Sequence, residues 1–138
     1  MERRRFLAGA GGVAVAVGLP LAGCLEDDDE YDVGMTATEY VPQEITVDVG
    51  DTVVWRNTST RAHTVTAYEG GIPEEAAYFA SGGYDDEPTA REEWWDDRGG
   101  AMDSGEAYQH TFEVPGRYDY VCVPHEDGAM IGAVIVEA

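Results

Sequence analysis

Near the C-terminus, Tyr108, His110, Phe112 and Val114 alternate with polar residues until Pro115-Gly116 breaks the run. Tyr118, Tyr120 and Cys122 then resume the alternation, with Arg117 and Asp119 between them. A period of two lines one face of a strand, whereas a helix would scatter these side chains around its axis. The same signal recurs upstream. Ile45, Val47 and Val49 share a face in residues 44–49, which end at Gly50-Asp51. Residues 52–57 carry Val53, Val54 and Trp55, residues 63–68 follow the polar turn Asn57-Thr58-Ser59-Thr60, and residues 131–136 are almost wholly apolar. With residues 31–38, these segments predict an all-β fold, a Greek-key β-sandwich of about seven to eight strands.

Residues 70–105 interrupt the pattern, and a connection of that length is either ordered or functional. Asp86-Glu87-Pro88-Thr89 predicts a capped start for a short helix running through Trp95, with Pro88 in its first turn. The insert's aromatics, Tyr78, Phe79, Tyr84, Trp94 and Trp95, are expected to cover the sandwich; the alternative makes an exposed Trp94-Trp95 pair a partner-docking patch.

Charge narrows the function. The 138 residues hold 28 Asp and Glu against 8 basic residues, all arginine, for a formal net charge of -20. No basic stripe exists to neutralise phosphates, so nucleic acid is excluded as a partner. Docking of the protein surface on an anionic membrane is excluded for the same reason. A chain that is 43% apolar is too hydrophobic for a solvated acidic tail. The expectation is a folded domain whose self-repulsion is screened by a salty environment.

The first residues read as an address. Arg3-Arg4-Arg5 precedes an apolar stretch from Phe6 to Leu21 that is short for a spanning helix and diluted by small residues. Arg3-Arg4-Arg5-Phe6-Leu7 resembles a twin-arginine export motif, and Leu21-Ala22-Gly23-Cys24 resembles a lipoprotein cleavage box in which Cys24 becomes the lipidated first residue. An uncleaved anchor is the alternative, and either reading puts the domain outside the cytoplasm. The acidic run Glu26–Glu30 then extends as a solvated tether. The expected organisation is a signal over 1–23, a tether over 24–34 and a folded domain over 35–138. With Cys24 lipidated, Cys122 has no disulfide partner in an oxidising location, so it is either buried and inert or does chemistry.

Its neighbourhood favours chemistry. In Cys122-Val-Pro-His125-Glu-Asp-Gly-Ala-Met130 the cysteine ends one strand, the methionine begins the next and the histidine lies between. A thiolate, an imidazole and a thioether gathered at one end of a sandwich select a soft, redox-active metal. His63, at a distant strand start, supplies the second imidazole of the trigonal His₂Cys set with a weak axial methionine that defines blue copper. Pro124 removes a backbone donor near the sulfur. Each residue alone has a blander reading: a small buried cysteine, a core methionine, a surface histidine. If Val114 pairs with Tyr118 across the Pro115-Gly116 turn, His110 pairs with Cys122 and lies near the copper end. Its expected role is structural, because the trigonal set is already complete.

Residues 118–132 resemble the copper loop of plastocyanins and the haloarchaeal halocyanins, and residues 57–66 resemble the region around their first histidine ligand. The resemblance covers most of 31–138 and is weakest across the insert. It implies a cupredoxin sandwich holding one copper, with His63, Cys122, His125 and Met130 as ligands. Many relatives carry asparagine directly after the first histidine, where this chain has Thr64. The resemblance implies one-electron transfer, here by a monomer on the outer side of the cell membrane. That monomer is held there by its lipid anchor, meets redox-protein partners transiently and binds no small-molecule substrate. An extracytoplasmic copper storage or delivery protein is the alternative. A copper enzyme would need an open position or a second copper, for which three histidines leave too few ligands.

Overall fold

In Thr52–Asn57 the residues Val53, Trp55 and Asn57 are buried while their neighbours face outward. Trp55 is the hub they create: its indole packs on Tyr120 at 5.4 Å, Tyr108 at 5.7 Å, Phe79 at 6.0 Å and Phe112 at 6.5 Å between ring centroids. Truncating such a buried indole costs about 3–5 kcal/mol. The computed structural model describes residues 30–138, and the compact unit runs over Asp32–Ala138.

The described residues hold eight strands, one α-helix and two short 3₁₀ turns. In chain order the strands and the α-helix are β1 (Val33–Met35), β2 (Tyr40–Val41), β3 (Glu44–Asp48), β4 (Thr52–Asn57), β5 (Thr66–Ala67), α1 (Glu87–Asp97), β6 (Ala107–Thr111), β7 (Gly116–Val121) and β8 (Ile131–Glu137). They form two four-stranded sheets in the orders β2-β1-β4-β6 and β3-β8-β7-β5. β1 runs parallel to β4 and β3 parallel to β8, while the remaining pairs are antiparallel. The all-β sandwich is therefore as the alternation predicts, with Tyr40–Val41 as a strand the sequence did not signal. A two-residue strand is too short to show a period.

One pairing differs from the expectation. β6 pairs with β4, in the opposite sheet from β7, so the chain from Phe112 to Gly116 arches between the sheets. Phe112 stays beside β4, exchanging backbone hydrogen bonds with Gly50 (2.7 Å) and Asp51 (3.0 Å). The Tyr118 hydroxyl donates back to the Val114 carbonyl at 2.6 Å. Strands facing a common core from two sheets alternate just as hairpin strands do, so period alone does not choose the partner.

The helix starts as predicted: Asp86 accepts from the Thr89 amide at 2.8 Å and Pro88 sits in the first turn. Of the insert's aromatics, Phe79 is buried in the core and the Tyr78 hydroxyl donates to the Ala67 carbonyl at 2.8 Å. Trp95 does not cover the sandwich; it is 68% exposed. β1 begins at Val33, so the expected domain start at 35 falls inside a buried strand. The signal over 1–23, the lipidation site Cys24 and most of the acidic tether lie outside the described residues.

Candidate metal centre

β4 ends in a buried amide that organises the turn after it. Asn57 Nδ2 donates to the carbonyls of Arg61 (2.6 Å) and Met102 (2.9 Å). Met102 belongs to the insert and exchanges two backbone hydrogen bonds with His63, of 3.1 and 2.8 Å. Farther along, Phe79–Ser81 of the insert pairs with the segment from Val65 to Ala67. The long connection thus holds the backbone of His63 and the strand behind it. His63 is fully buried.

Cys122 follows β7 and opens a tight turn over Val123–Gly128, with Pro124 in its first positions. The His125 amide donates to the Cys122 carbonyl at 3.0 Å, and the Cys122 amide donates to the Met130 carbonyl at 3.0 Å. Ala129 takes the left-handed conformation (φ 64°) and turns the chain into β8. Met130 is buried beside Cys122 at the closing end of this loop. The loop, opening at one strand end and closing at the next, gathers all three residues as the sequence suggested.

Three donor atoms converge. His63 Nδ1 and His125 Nδ1 are 3.2 Å apart, and Cys122 Sγ lies 3.6 Å from the first and 3.2 Å from the second. The point equidistant from all three is about 1.9 Å from each, close to the ~2.0–2.3 Å of nitrogen and thiolate bonds to a first-row metal. The set is two imidazoles and one cysteine sulfur, and the buried Met130, whose carbonyl accepts from the Cys122 amide, adds a thioether residue from the adjoining strand start; these are the residue types of a blue copper site.

The family follows. Residues 28–137 match the model of copper binding proteins of the plastocyanin/azurin family. The chain belongs to that family. It is 34% identical over 118 residues to amicyanin of Paracoccus versutus, covering 86% of this chain and 73% of the relative. It is 30% identical over 132 residues to the chloroplastic plastocyanin of Tetradesmus obliquus, covering 95% and 81%. Among solved structures, an oxidised amicyanin variant superimposes with a TM-score of 0.55 at 31% identity, covering 76% of this chain and 79% of that one. A purple cupredoxin from Nitrosopumilus maritimus shares the fold, with a TM-score of 0.52 at 21% identity and covering 77% of this chain and 100% of that one. Copper is accordingly the metal of this cupredoxin.

Its donors are poised by burial. Desolvation pushes His63 down to about 4 from its ordinary 6.5, helped by the neighbouring His125 and by Arg61, while the Thr36 backbone pulls the other way. His125 is lowered for the same first reason. Both rings are therefore neutral at physiological pH, as metal ligation requires. Burial pushes the Cys122 thiol up to about 11, against hydrogen bonds from the Thr64 and His125 backbone and the Arg61 charge. A metal that binds the thiolate displaces that proton.

At the position where many relatives carry asparagine, Thr64 Oγ1 accepts from the Val123 amide at 3.0 Å, tying the His63 segment to the loop after Cys122. His110 is not near the copper end. It pairs with Val53 at the opposite end of β4 from Asn57, about 13 Å away at ~3.3 Å per strand residue. There it stacks on Phe79 at 4.7 Å, because β6 lies in the other sheet from Cys122. Sequence reasoning missed four residues around the site: Asn57, Ser59, Met102 and Arg91. Asn57-x-Ser59 at a strand end is an Asx-turn signal that was available. Nothing local marks Met102 or Arg91, which arrive from the insert.

Proposed function

We propose that this cupredoxin is a type 1 copper electron carrier, with His63, Cys122 and His125 as the trigonal ligands and Met130 as the weak axial one. The observation that carries the reading is the convergence of the three donor atoms at 3.2–3.6 Å beside a buried methionine. Copper supplies a one-electron change between its two oxidation states. The chain's own residues supply the rest. The bonds from Asn57, Met102 and Thr64 hold His63 and the copper loop in one arrangement, so little need move when the charge changes. Burial of His63, Cys122 and Met130 keeps water from the donors.

His125 is the part-exposed member of the set, and the neighbouring Gly128 and Ala129 are exposed and small. That edge is where a redox partner approaches closely enough for transfer, in the small, transient contact typical of such encounters. The partners are redox proteins. Within the family we place this chain with the halocyanins of salt-loving archaea, on its charge of -20 and the acidic run Glu26–Glu30. We further propose that it is exported and lipid-anchored at Cys24, which rests on the motif Leu21-Ala22-Gly23-Cys24. No helix among the described residues is long and apolar enough to cross a membrane.

Addition of Cu(II) to the copper-free protein in high salt tests the electron-carrier reading. An intense blue band that bleaches reversibly with a one-electron reductant, and that Cys122→Ser abolishes, is the expected result. Folded protein that stays colourless overturns it. The mass of the mature N-terminal peptide tests the anchor: a diacylglyceryl-modified Cys24 is expected, and an unmodified one refutes it.

A further inference from the structure

The outer nitrogen of His63 meets a hydroxyl, not a carbonyl or carboxylate: Nε2 lies 3.0 Å from Ser59 Oγ. A hydroxyl can donate or accept, so this contact by itself leaves the ring's tautomer open. The groups around Ser59 close the question. Asn57 Nδ2 faces two carbonyls, of Arg61 (2.6 Å) and Met102 (2.9 Å), so that side of the amide must be the NH₂. Asn57 Oδ1 is then the acceptor that faces Ser59, taking its backbone N–H at 2.8 Å.

Ser59 Oγ lies 2.7 Å from the same Oδ1. That oxygen and the Arg61 carbonyl, 3.2 Å from the same Oγ, can only accept, and the closer pair would repel without a hydrogen between them, so the single hydroxyl hydrogen is committed on that side. The lone pairs of Oγ remain, and the Arg61 N–H donates to one at 3.2 Å. Nothing but an N–H can satisfy the contact with His63. Nε2 therefore carries the ring hydrogen and Nδ1 carries the lone pair. Nδ1 is the nitrogen that faces His125 Nδ1 and Cys122 Sγ.

We propose that Ser59, oriented by Asn57, is a positioning residue that sets the tautomer of His63 before metal arrives and so presents a ready lone pair to copper. The inference rests on reading His63 as a ligand, but its first test needs no metal. Losing a partner of this kind typically weakens metal binding 10–100-fold.

Long-range proton–nitrogen NMR on the copper-free protein at about pH 8, where the imidazole is neutral, reads the tautomer directly. His63 should be wholly Nε2–H in the native protein. In Ser59→Ala the Nδ1–H form should appear, and Cu(I) affinity, measured by competition with a chromophoric chelator, should fall about 10-fold or more. Ser59→Thr, which keeps the hydroxyl, should restore both and controls for general damage to the turn. An Nδ1–H ring in the native protein overturns the inference, as does a Ser59→Ala variant with unchanged tautomer or affinity. Native protein that binds no copper would instead refute the proposed function.

Discussion

Thr64 and His63 are adjacent, buried and polar, and each is tolerated in the core because a specific partner meets it. Thr64 Oγ1 is the acceptor for the Val123 amide, so Thr64→Val leaves that N–H buried without a partner. The copper-free variant should lose about 1–3 kcal/mol in urea unfolding, and the loop after Cys122 should exchange its amides faster. His63 makes the domain acid-sensitive. Its folded-state value of about 4 lies below the ordinary 6.5, so between these the unfolded chain takes up a proton that the folded one refuses. Stability is therefore full above about pH 6.5 and falls as the pH drops toward 4, by about 3 kcal/mol for this ring. His110, lowered by its burial against Phe79, adds to the loss with the same sign. Urea midpoints of the copper-free protein across this window should decline, and a flat profile would contradict the burial argument.

At the level of elements, the insert is a brace. Phe79–Ser81 extends the second sheet along β5, Met102 bonds to His63, and α1 reaches the copper loop through charge. Arg91 clasps both oxygens of Glu126, the residue after His125, at 2.8 and 3.1 Å, and its Nε bonds Glu87 at 2.8 Å. Tyr68 adds a hydroxyl bond to Glu126 at 2.7 Å. The Arg91 hydrogen bond is the main reason the Glu126 carboxyl is held below its usual range. A forked pair in a network outperforms an isolated surface pair, but it is still reached by solvent. Arg91→Gln should cost about 1 kcal/mol in low salt and less in high salt, where the pair is already screened. Hydrogen exchange should localise the change to residues 125–129, and an effect confined to α1 would contradict the brace. The same scale shows what alternation withholds. Residues 108–114 and 118–122 point their apolar sides inward as expected, yet they belong to different sheets.

For the whole molecule, charge is the dominant feature. A net charge of -20 on 138 residues opposes compaction unless ions screen it, and the screening length falls from about 10 Å at 0.1 M salt to about 3 Å at 1 M. The thermal midpoint should rise between these concentrations, by about 4–8 °C for each kcal/mol of repulsion relieved. A midpoint that stays flat between these concentrations would contradict the screening argument.

Much of this protein follows from its sequence. The period of two dictates strands because only a pleated chain buries every second side chain. The Cys-x2-His-x4-Met run brings its three donors to one end because a short loop joins two strand ends, and the donor types themselves select copper. Distance along the chain is what hides the rest. The sheet partner of β6, the opposite-end position of His110, the bonding of Met102 to His63 and the clasp of Arg91 on Glu126 all join residues far apart in sequence or split between sheets. Local pattern fixes which way a side chain faces, but only packing fixes what it meets. The tautomer of His63 belongs to that second class, since it depends on hydrogen bonds that close only once β4, its turn and the insert have come together.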